Sequence, residues 1–367
     1  MSLFPWRVAT RGGGAAFLIA LCLLGGPVGA ATMPTYSGRP PLRLPGDDAM
    51  HPRTGTEWWY VVGHLNDNQG HRYGFESVVF RFSHLRASIP SLRFDTVYRA
   101  DTAVTDEARG SFSGGVRYIQ PALGVTSMSA ALLRLTAGPI AMARISAAPR
   151  LRYTVDETTP NGTRLHLTVQ ATKAPLLVGG AGIVPMGAHG YSYYYSLTRL
   201  DTQGTLWLPG QKQPRAVHGL SWMDHQWGDW DWREINGWDW MSVQLTNGMD
   251  LNITDFQGGR GSPHKAATIS LPNGRQIVST HVVMTPLGYW RSPRTHILYP
   301  SGWRVRAADV GLDLVVRPNV VDQEMADRFT PEQSYWEGSC RVGGRLRGTP
   351  ISGQAYTELA GYGVPKQ

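Results

Sequence analysis

Cysteine is scarce in this chain of 367 residues, which contains only Cys22 and Cys340. Residues 1–30 have the pattern of a cleavable signal peptide: two early arginines, an apolar run too short to cross a bilayer, and small residues before the expected cleavage point after Ala30. Cleavage would remove Cys22 and exclude an internal disulfide, so stability must come from burial of apolar side chains. We therefore expect a periplasmic or secreted protein; the alternative is that the segment remains as an anchor.

Motifs of several common enzyme classes are also missing. The segments 190–194 and 219–223 lack the second glycine of a nucleophile elbow. No His-Glu-x-x-His sequence occurs and no histidines are paired at metal spacing, so a dedicated metal site is not expected. Neither a phosphate loop nor a dinucleotide fingerprint is present. The expected functions are therefore chemistry without a cofactor, or simple ligand binding.

Runs of basic residues are absent, although the formal net charge is +8. Nucleic-acid-binding proteins concentrate lysine and arginine on one face or in clusters. Here these residues are scattered along the chain, so we expect a mildly basic surface and no nucleic-acid partner.

Helical periodicity is weak, whereas alternation of apolar and polar residues is common. Strands are predicted at residues 60–62, 75–82, 164–169 and 312–316. Turns are predicted at residues 66–70, 161–162, 201–204, 247–248 and 272–274. Many short strands at close spacing predict an all-β fold of the barrel or sandwich type.

The two halves of the chain share an order of three motifs. These are a tryptophan-led strand, an aromatic strand and a Gly-x-x-aromatic-x-acid segment, at residues 58–65, 193–199 and 219–224 and again at 238–245, 335–341 and 353–358. The repeat predicts a duplicated β-domain, with residues 31–230 and 231–367 as its two copies. Glu358 then occupies the position equivalent to Asp224.

Tryptophan is concentrated in residues 222–240, which hold six of the thirteen in the chain, interleaved with acidic residues. This mixture suits an apolar ligand cavity with a few polar groups. Strand alternation places Trp222 and Asp224 on one face and His225 on the other. A carboxyl in an apolar pocket stays protonated closer to neutrality and can act as a general acid.

Asp224 is therefore the candidate catalytic residue. It would protonate an alkene, tryptophan faces would stabilise the resulting cation, and water would add. The alternative is a structural role, in which Asp224 only accepts a hydrogen bond from a tryptophan N–H. The candidate ligand-binding residues are Trp222, Trp227, Glu57, Trp59, Tyr194, His225 and Trp240. Among these, Glu57 is a second buried-acid candidate and His225 is more simply a structural histidine.

Four segments resemble the AttH/CrtC family, and the string Trp-Met-Asp-His-Gln-Trp-Gly is the most specific of them. They are residues 56–60, 222–228, 335–338 and 356–362. This family includes carotenoid 1,2-hydratases and exported AttH-like proteins, many of them labelled predicted secreted hydrolases. The resemblance implies two tandem lipocalin-like barrels with a ligand cavity near their junction. It also implies that an acid at Asp224 protonates a terminal isoprenoid double bond.

The expected signal peptide makes the chain resemble the exported AttH branch, whose genes often lie beside an ABC transporter. We expect a carotenoid-hydratase-like protein that binds an apolar isoprenoid or lipid-like ligand in a tryptophan-rich cavity and adds water to a C=C bond. One alternative is a non-enzymatic periplasmic carrier working with an ABC transporter. A weaker alternative is a purely structural envelope protein. The residues do not support a hydrolase.

Overall fold

The structure of the protein is a computed structural model that describes residues 39–83, 96–121, 126–257 and 265–363. The expected signal segment, residues 1–30, lies outside the described residues. The described chain forms strands, turns and short 3-10 helices at Gly46–Asp48, Val178–Gly180, Trp232–Glu234 and Pro331–Gln333. In this part of the chain, no helix combines the length and apolar character needed to cross a membrane.

The first sheet has thirteen antiparallel strands. They are β1 (Thr56–Asp67), β2 (Arg72–Ser83), β3 (Thr96–Asp106), β4 (Ser111–Ile119), β5 (Thr126–Met128), β6 (Arg134–Ala137), β7 (Ile140–Ser146), β8 (Arg152–Thr158), β9 (Arg164–Ala171), β10 (Leu176–Leu177), β11 (Ile183–Met186), β12 (Gly190–Trp207) and β13 (Arg215–Asp229). The order is β4-β3-β2-β1-β13-β12-β9-β8-β7-β6-β5, and β10 and β11 also pair with β12.

The remaining strands form a ten-stranded sheet and a separate hairpin, β19–β20. They are β14 (Gly237–Leu245), β15 (Asp250–Gln257), β16 (Lys265–Ser270), β17 (Gln276–Ser279), β18 (Val282–Pro286), β19 (Tyr289–Arg291), β20 (Leu298–Pro300), β21 (Trp303–Ala307), β22 (Leu312–Pro318), β23 (Glu324–Met325), β24 (Tyr335–Leu346) and β25 (Thr349–Ala360). The order is β17-β16-β15-β14-β25-β24-β22-β21-β18, with β23 beside β24.

The two large sheets have the same connectivity at their centres. In each, the first strand pairs with the last, β1 with β13 and β14 with β25. The last strand also pairs with the aromatic strand before it, β12 or β24. Both sheets curl into nearly closed barrels, which confirms the predicted all-β fold of two tandem lipocalin-like barrels.

The predicted boundary at 230/231 lies between the end of β13 at Asp229 and the start of β14 at Gly237. The described residues nevertheless all belong to one compact unit. The division into two domains therefore stays a prediction.

Strand alternation creates two barrel interiors and a third core between the barrels. Trp59, Met223 and Trp227 point into the first barrel, whereas Met241 and Trp303 belong to the core of the second. The opposite faces of the central strands meet at the junction, where the buried residues are Tyr60, Val62, Val78, Leu176, Trp222, Trp240 and Tyr356. This junction core holds the candidate site.

The turn predicted at residues 201–204 is wrong, because this segment is an uninterrupted part of β12. Gly204 lies opposite Leu167 of β9, and a Cβ at this position would meet the His166 carbonyl oxygen at 2.0 Å. The glycine permits a close approach of two backbones inside a sheet, which is a second common reason for glycine in a strand. The other predicted turns are present.

Candidate functional site

A cavity lies where the central strands of the two barrels face each other. It offers about 40 Å³ of space to water-sized molecules, more than the ~10–15 Å³ that one water needs. Its lining residues are Trp58, Tyr60, Phe80, Met186, Tyr194, Asp224, Gln226, Trp232, Trp238, Trp240, Thr254, Phe256 and Glu358. Trp232 is 38% exposed, so its side chain lies at the edge of the cavity that meets solvent. The cavity is thus an aromatic chamber with two carboxyls, from Asp224 and Glu358.

Asp224 is buried, and each of its carboxyl oxygens accepts a hydrogen bond. The Tyr194 hydroxyl donates to Oδ2 at 2.5 Å, and Nε1 of Trp222 donates to Oδ1 at 2.6 Å. Burial raises the pKa of Asp224 to about 7, and hydrogen bonds from Ser196, Tyr194 and Trp222 limit the rise. Near neutrality the carboxyl is therefore present in both the protonated and the ionised form, as a proton donor in catalysis requires.

The second barrel orients the phenol that contacts Asp224. Nδ2 of Asn252, on β15, donates to the Tyr194 oxygen at 2.9 Å and lies 3.2 Å from Oγ of Ser196. Thr254 in turn donates to Oδ1 of Asn252 at 3.1 Å. Burial raises the pKa of Tyr194 well above its usual value, so the phenol remains a donor. The acid of the first barrel is thus positioned partly by the second.

Glu358 is half-buried because its side chain faces the cavity. It accepts a hydrogen bond from the Trp238 side chain, while burial raises its pKa to about 7. Its cross-strand neighbours are Trp240 on β14 and Glu337 on β24. None of the ion pairs between described residues involves Asp224 or Glu358. Neither carboxyl is neutralised by a direct cationic partner there.

Aromatic rings surround the two acids. Tyr60 packs edge-on against Trp240 with ring centroids 5.1 Å apart, and Trp222 packs edge-on against the same ring at 6.1 Å. Trp58 contacts Phe80 at 6.0 Å. Ring faces carry partial negative charge and stabilise a nearby cation. The walls therefore favour a cationic intermediate near the carboxyls.

The structure brings together part of the predicted site. Tyr194 and Trp240 line the cavity with Asp224, and Trp222 lies next to it through its hydrogen bond to the carboxyl.

Four predicted ligand-binding residues do not line this cavity: Glu57, Trp59, His225 and Trp227. They point into the first barrel or towards its end. On β1 and β13 the odd-numbered positions face inward and the even-numbered positions face the junction. Strand alternation therefore places these four residues apart from the Asp224 cavity and separates His225 from Asp224 as expected, and their role in ligand binding stays a prediction.

Glu57 forms a separate cluster in the first barrel. Its Oε1 accepts hydrogen bonds from Nδ1 of His51 at 2.8 Å and Nε2 of His225 at 3.0 Å, and its Oε2 accepts from Nε of Arg81 at 3.1 Å. Burial alone would raise the pKa of Glu57, but the bonds from His225 and His51 lower it to about 2. The ligand atoms of His51, Glu57 and His225 lie within 4.8 Å of one another, close enough to hold a metal ion. Because the Arg81 cation binds the same carboxylate, a structural role is favoured instead. The ionic cluster of His51, Glu57, Arg81 and His225 is called the brace below.

Sequence reasoning missed several lining residues, including Trp58, Tyr60 and Gln226. A signal for Gln226 was available, because it is two residues beyond Asp224 on the same strand face. Nothing in the sequence indicated Asn252, whose role depends on packing between the barrels. Glu358 was identified as the repeat equivalent of Asp224, but not as a member of the same cavity.

Two tandem lipocalin-like barrels with a cavity at their junction define the class of this protein. The sequence profile of the AttH-like family matches residues 35–362, and the chain belongs to this family.

One similar solved structure is an AttH protein from Nitrosomonas europaea, with 26% identity, coverage of 90% of this chain and 99% of that one, and a TM-score of 0.76. Kievitone hydratase from Nectria haematococca shares the fold, with 19% identity, coverage of 90% and 96%, and a TM-score of 0.68. The dehydratase AsqC of Emericella nidulans is 28% identical over 215 residues, which are 56% of this chain. This chain spans 60% of the length of AsqC.

Proposed function

We propose that this protein is a hydro-lyase that adds water across a C=C bond of an apolar, isoprenoid-like substrate without a cofactor, or catalyses the reverse dehydration. The observation that carries the proposal is Asp224, a buried carboxyl with a pKa of about 7 in an aromatic cavity. The names of the relatives kievitone hydratase and dehydratase AsqC support the same reaction class.

Protonated Asp224 donates its proton to one carbon of the double bond, and the π electrons form the new C–H bond. The adjacent carbon becomes cationic beside the rings of Tyr60 and Trp240, which contact each other at the junction. A water molecule then forms the C–O bond and releases one proton. Tyr194 and Trp222 stabilise the carboxylate that Asp224 leaves behind.

The size of the cavity limits how a substrate binds. Its space for water-sized molecules is about 40 Å³, so it suits the reacting end of a substrate more than a whole isoprenoid. The remainder of a long chain would leave the cavity beside Trp232, whose ring is partly exposed. A linear isoprenoid with a terminal trisubstituted double bond fits this arrangement.

The test is Asp224→Asn, assayed with geranylgeraniol by mass spectrometry for a gain of one water. We expect turnover to fall by about 100-fold or more, the usual contribution of a general acid, with ligand binding retained. Asp239→Asn is the matched control, because Asp239 is also a largely buried carboxyl whose pKa burial raises, to about 6, but it does not line the cavity. Binding without turnover in the wild-type protein would favour the carrier function instead.

A further inference from the structure

Asp224 and Glu358 are carried by facing strands at the same level of the junction. Tyr60 is the cross-strand partner of Asp224, and Trp240 is the cross-strand partner of Glu358. The rings of Tyr60 and Trp240 touch, with centroids 5.1 Å apart. Because each acid lies beside one of two contacting rings, both carboxyls reach the same cavity from opposite barrels.

The two acids differ in their access to the cavity. Asp224 is only 3% exposed, and both of its oxygens accept hydrogen bonds from protein groups. Glu358 keeps part of its surface accessible. A water molecule in the cavity can therefore contact Glu358 more readily than Asp224.

From this geometry we infer that Glu358 is a second catalytic residue, which binds the attacking water and removes its proton after Asp224 has protonated the carbon. The inference rests on the proposed hydro-lyase function and extends it to a two-residue mechanism. Asp224 and Glu358 occupy equivalent positions in the two barrels, and the inference gives them opposite roles: Asp224 is the acid and Glu358 is the base.

The proton balance closes within this pair. Asp224 loses a proton to the substrate carbon, a C–O bond forms to water, and the water proton passes to the Glu358 carboxylate. The pair starts as Asp224-COOH and Glu358-COO⁻ and ends as the opposite tautomer, which is the form needed for dehydration. Both tautomers carry one proton, so both reaction directions depend on the singly protonated pair.

The surroundings of Glu358 favour retention of a single proton. Its neighbours in the junction are mostly acidic, and Arg99 is the cation that acts on it. The charged and titratable groups that face it from the packed strands are Asp224 on β13, Glu337 on β24, Glu76 on β2, Asp101 and Arg99 on β3, and Tyr60 on β1. Repulsion between Asp224 and Glu358 disfavours ionisation of both cavity carboxyls at once.

The experiment compares wild type, Glu358→Gln and Asp224→Asn with geranylgeraniol as substrate, across pH and in D₂O. For wild type we expect a bell-shaped pH profile: kcat/KM rises as Glu358 ionises and falls as Asp224 ionises. In Glu358→Gln we expect turnover to fall by about 100-fold or more, with loss of the rising limb. Deuterium should still enter the unreacted alkene, because Asp224 continues to protonate it reversibly, whereas Asp224→Asn should lose this exchange.

Glu337→Gln is the matched control. Glu337 is the register partner of Glu358, does not line the cavity, and has its pKa raised well above the usual value by burial. Glutamine resembles its protonated form and can still accept the hydrogen bond from Tyr60, so the bell-shaped profile should persist.

The two proposals fail in different ways. Loss of turnover in Asp224→Asn together with near-normal turnover in Glu358→Gln would overturn the role of Glu358 alone. A pH profile of wild-type kcat/KM that shows only a falling limb would also overturn the role of Glu358, without the need for a variant. Absence of turnover in wild type, or full turnover in Asp224→Asn, would overturn the hydro-lyase function and the role of Glu358 with it.

Discussion

At the scale of the residue, Asp224 is held in a compromise between desolvation and hydrogen bonding. Burial favours the neutral carboxyl, while the donors from Trp222 and Tyr194 favour the carboxylate. A purely structural acceptor would be more stable with a fully compensated charge. Glu57 is such a case, because two histidines and Arg81 hold it ionised. The contrast between these two buried acids supports a proton-transfer role for Asp224.

This compromise predicts how stability depends on pH. The pKa of Asp224 is about 7 in the folded protein, compared with an ordinary value of 3.8 for an aspartate. The folded state therefore binds the proton more tightly than the unfolded state does. Its contribution to stability is complete below about pH 4 and is lost as pH rises through 7, at a cost on the order of 4 kcal/mol. Asp224→Asn should therefore become increasingly stabilising, relative to wild type, between pH 5 and pH 8.

Urea unfolding at both pH values measures this difference. Asp231→Asn provides the control, since Asp231 is exposed and its pKa is lowered to about 2 by its hydrogen bonds with Arg233. A pH-independent effect of Asp224→Asn would contradict the raised pKa.

At the scale of the element, β1 and β13 each serve two sites through alternation. Their junction-facing residues form the cavity, and their inward-facing residues Glu57 and His225 form the brace in the first barrel. The brace also reaches the segment before β1, because Arg81 donates to the carbonyls of His51 and Thr54. A shift of either strand by one residue would exchange the two faces, so the brace and the cavity depend on one register.

Replacement of Glu57 tests the brace. Glu57→Gln should lower the free energy of unfolding at pH 7 by about 3–5 kcal/mol, because Arg81 is left buried without its anionic partner. Urea denaturation followed by tryptophan fluorescence measures the loss, with the exposed Glu332→Gln as control. If Glu57→Gln instead left stability unchanged and removed bound zinc, the cluster would be a metal site.

At the scale of the whole molecule, duplication places two related acids around one chamber. Neither barrel alone contains the site, because Asp224 and Tyr194 come from the first barrel and Asn252 and Glu358 from the second. The hydrogen bond between Tyr60 and Glu337 joins residues 277 positions apart in the chain. Such contacts form only after both barrels have folded and packed.

Export is the prediction that concerns the whole chain. Expression in a Gram-negative host should yield a periplasmic protein that begins at Ala31, as measured by intact mass after osmotic release. Leu18→Arg with Leu21→Arg should block export, since charges interrupt the apolar run. Recovery of a cytoplasmic protein with residues 1–30 intact would show that the segment is not a signal peptide.

Local pattern determined much of this protein. Alternation predicted the strands, the repeated order of motifs predicted two barrels, and a period of two placed Asp224 with Trp222 and away from His225. Alternation depends on residues a few positions apart, and the repeat is a likeness between two stretches of sequence, so the sequence contains both directly. The tertiary structure alone decided which face of each strand meets the other barrel. For this reason Glu57, Trp59, His225 and Trp227 lie apart from the Asp224 cavity, and Asn252 and Glu358 entered the site only when two sheets packed together.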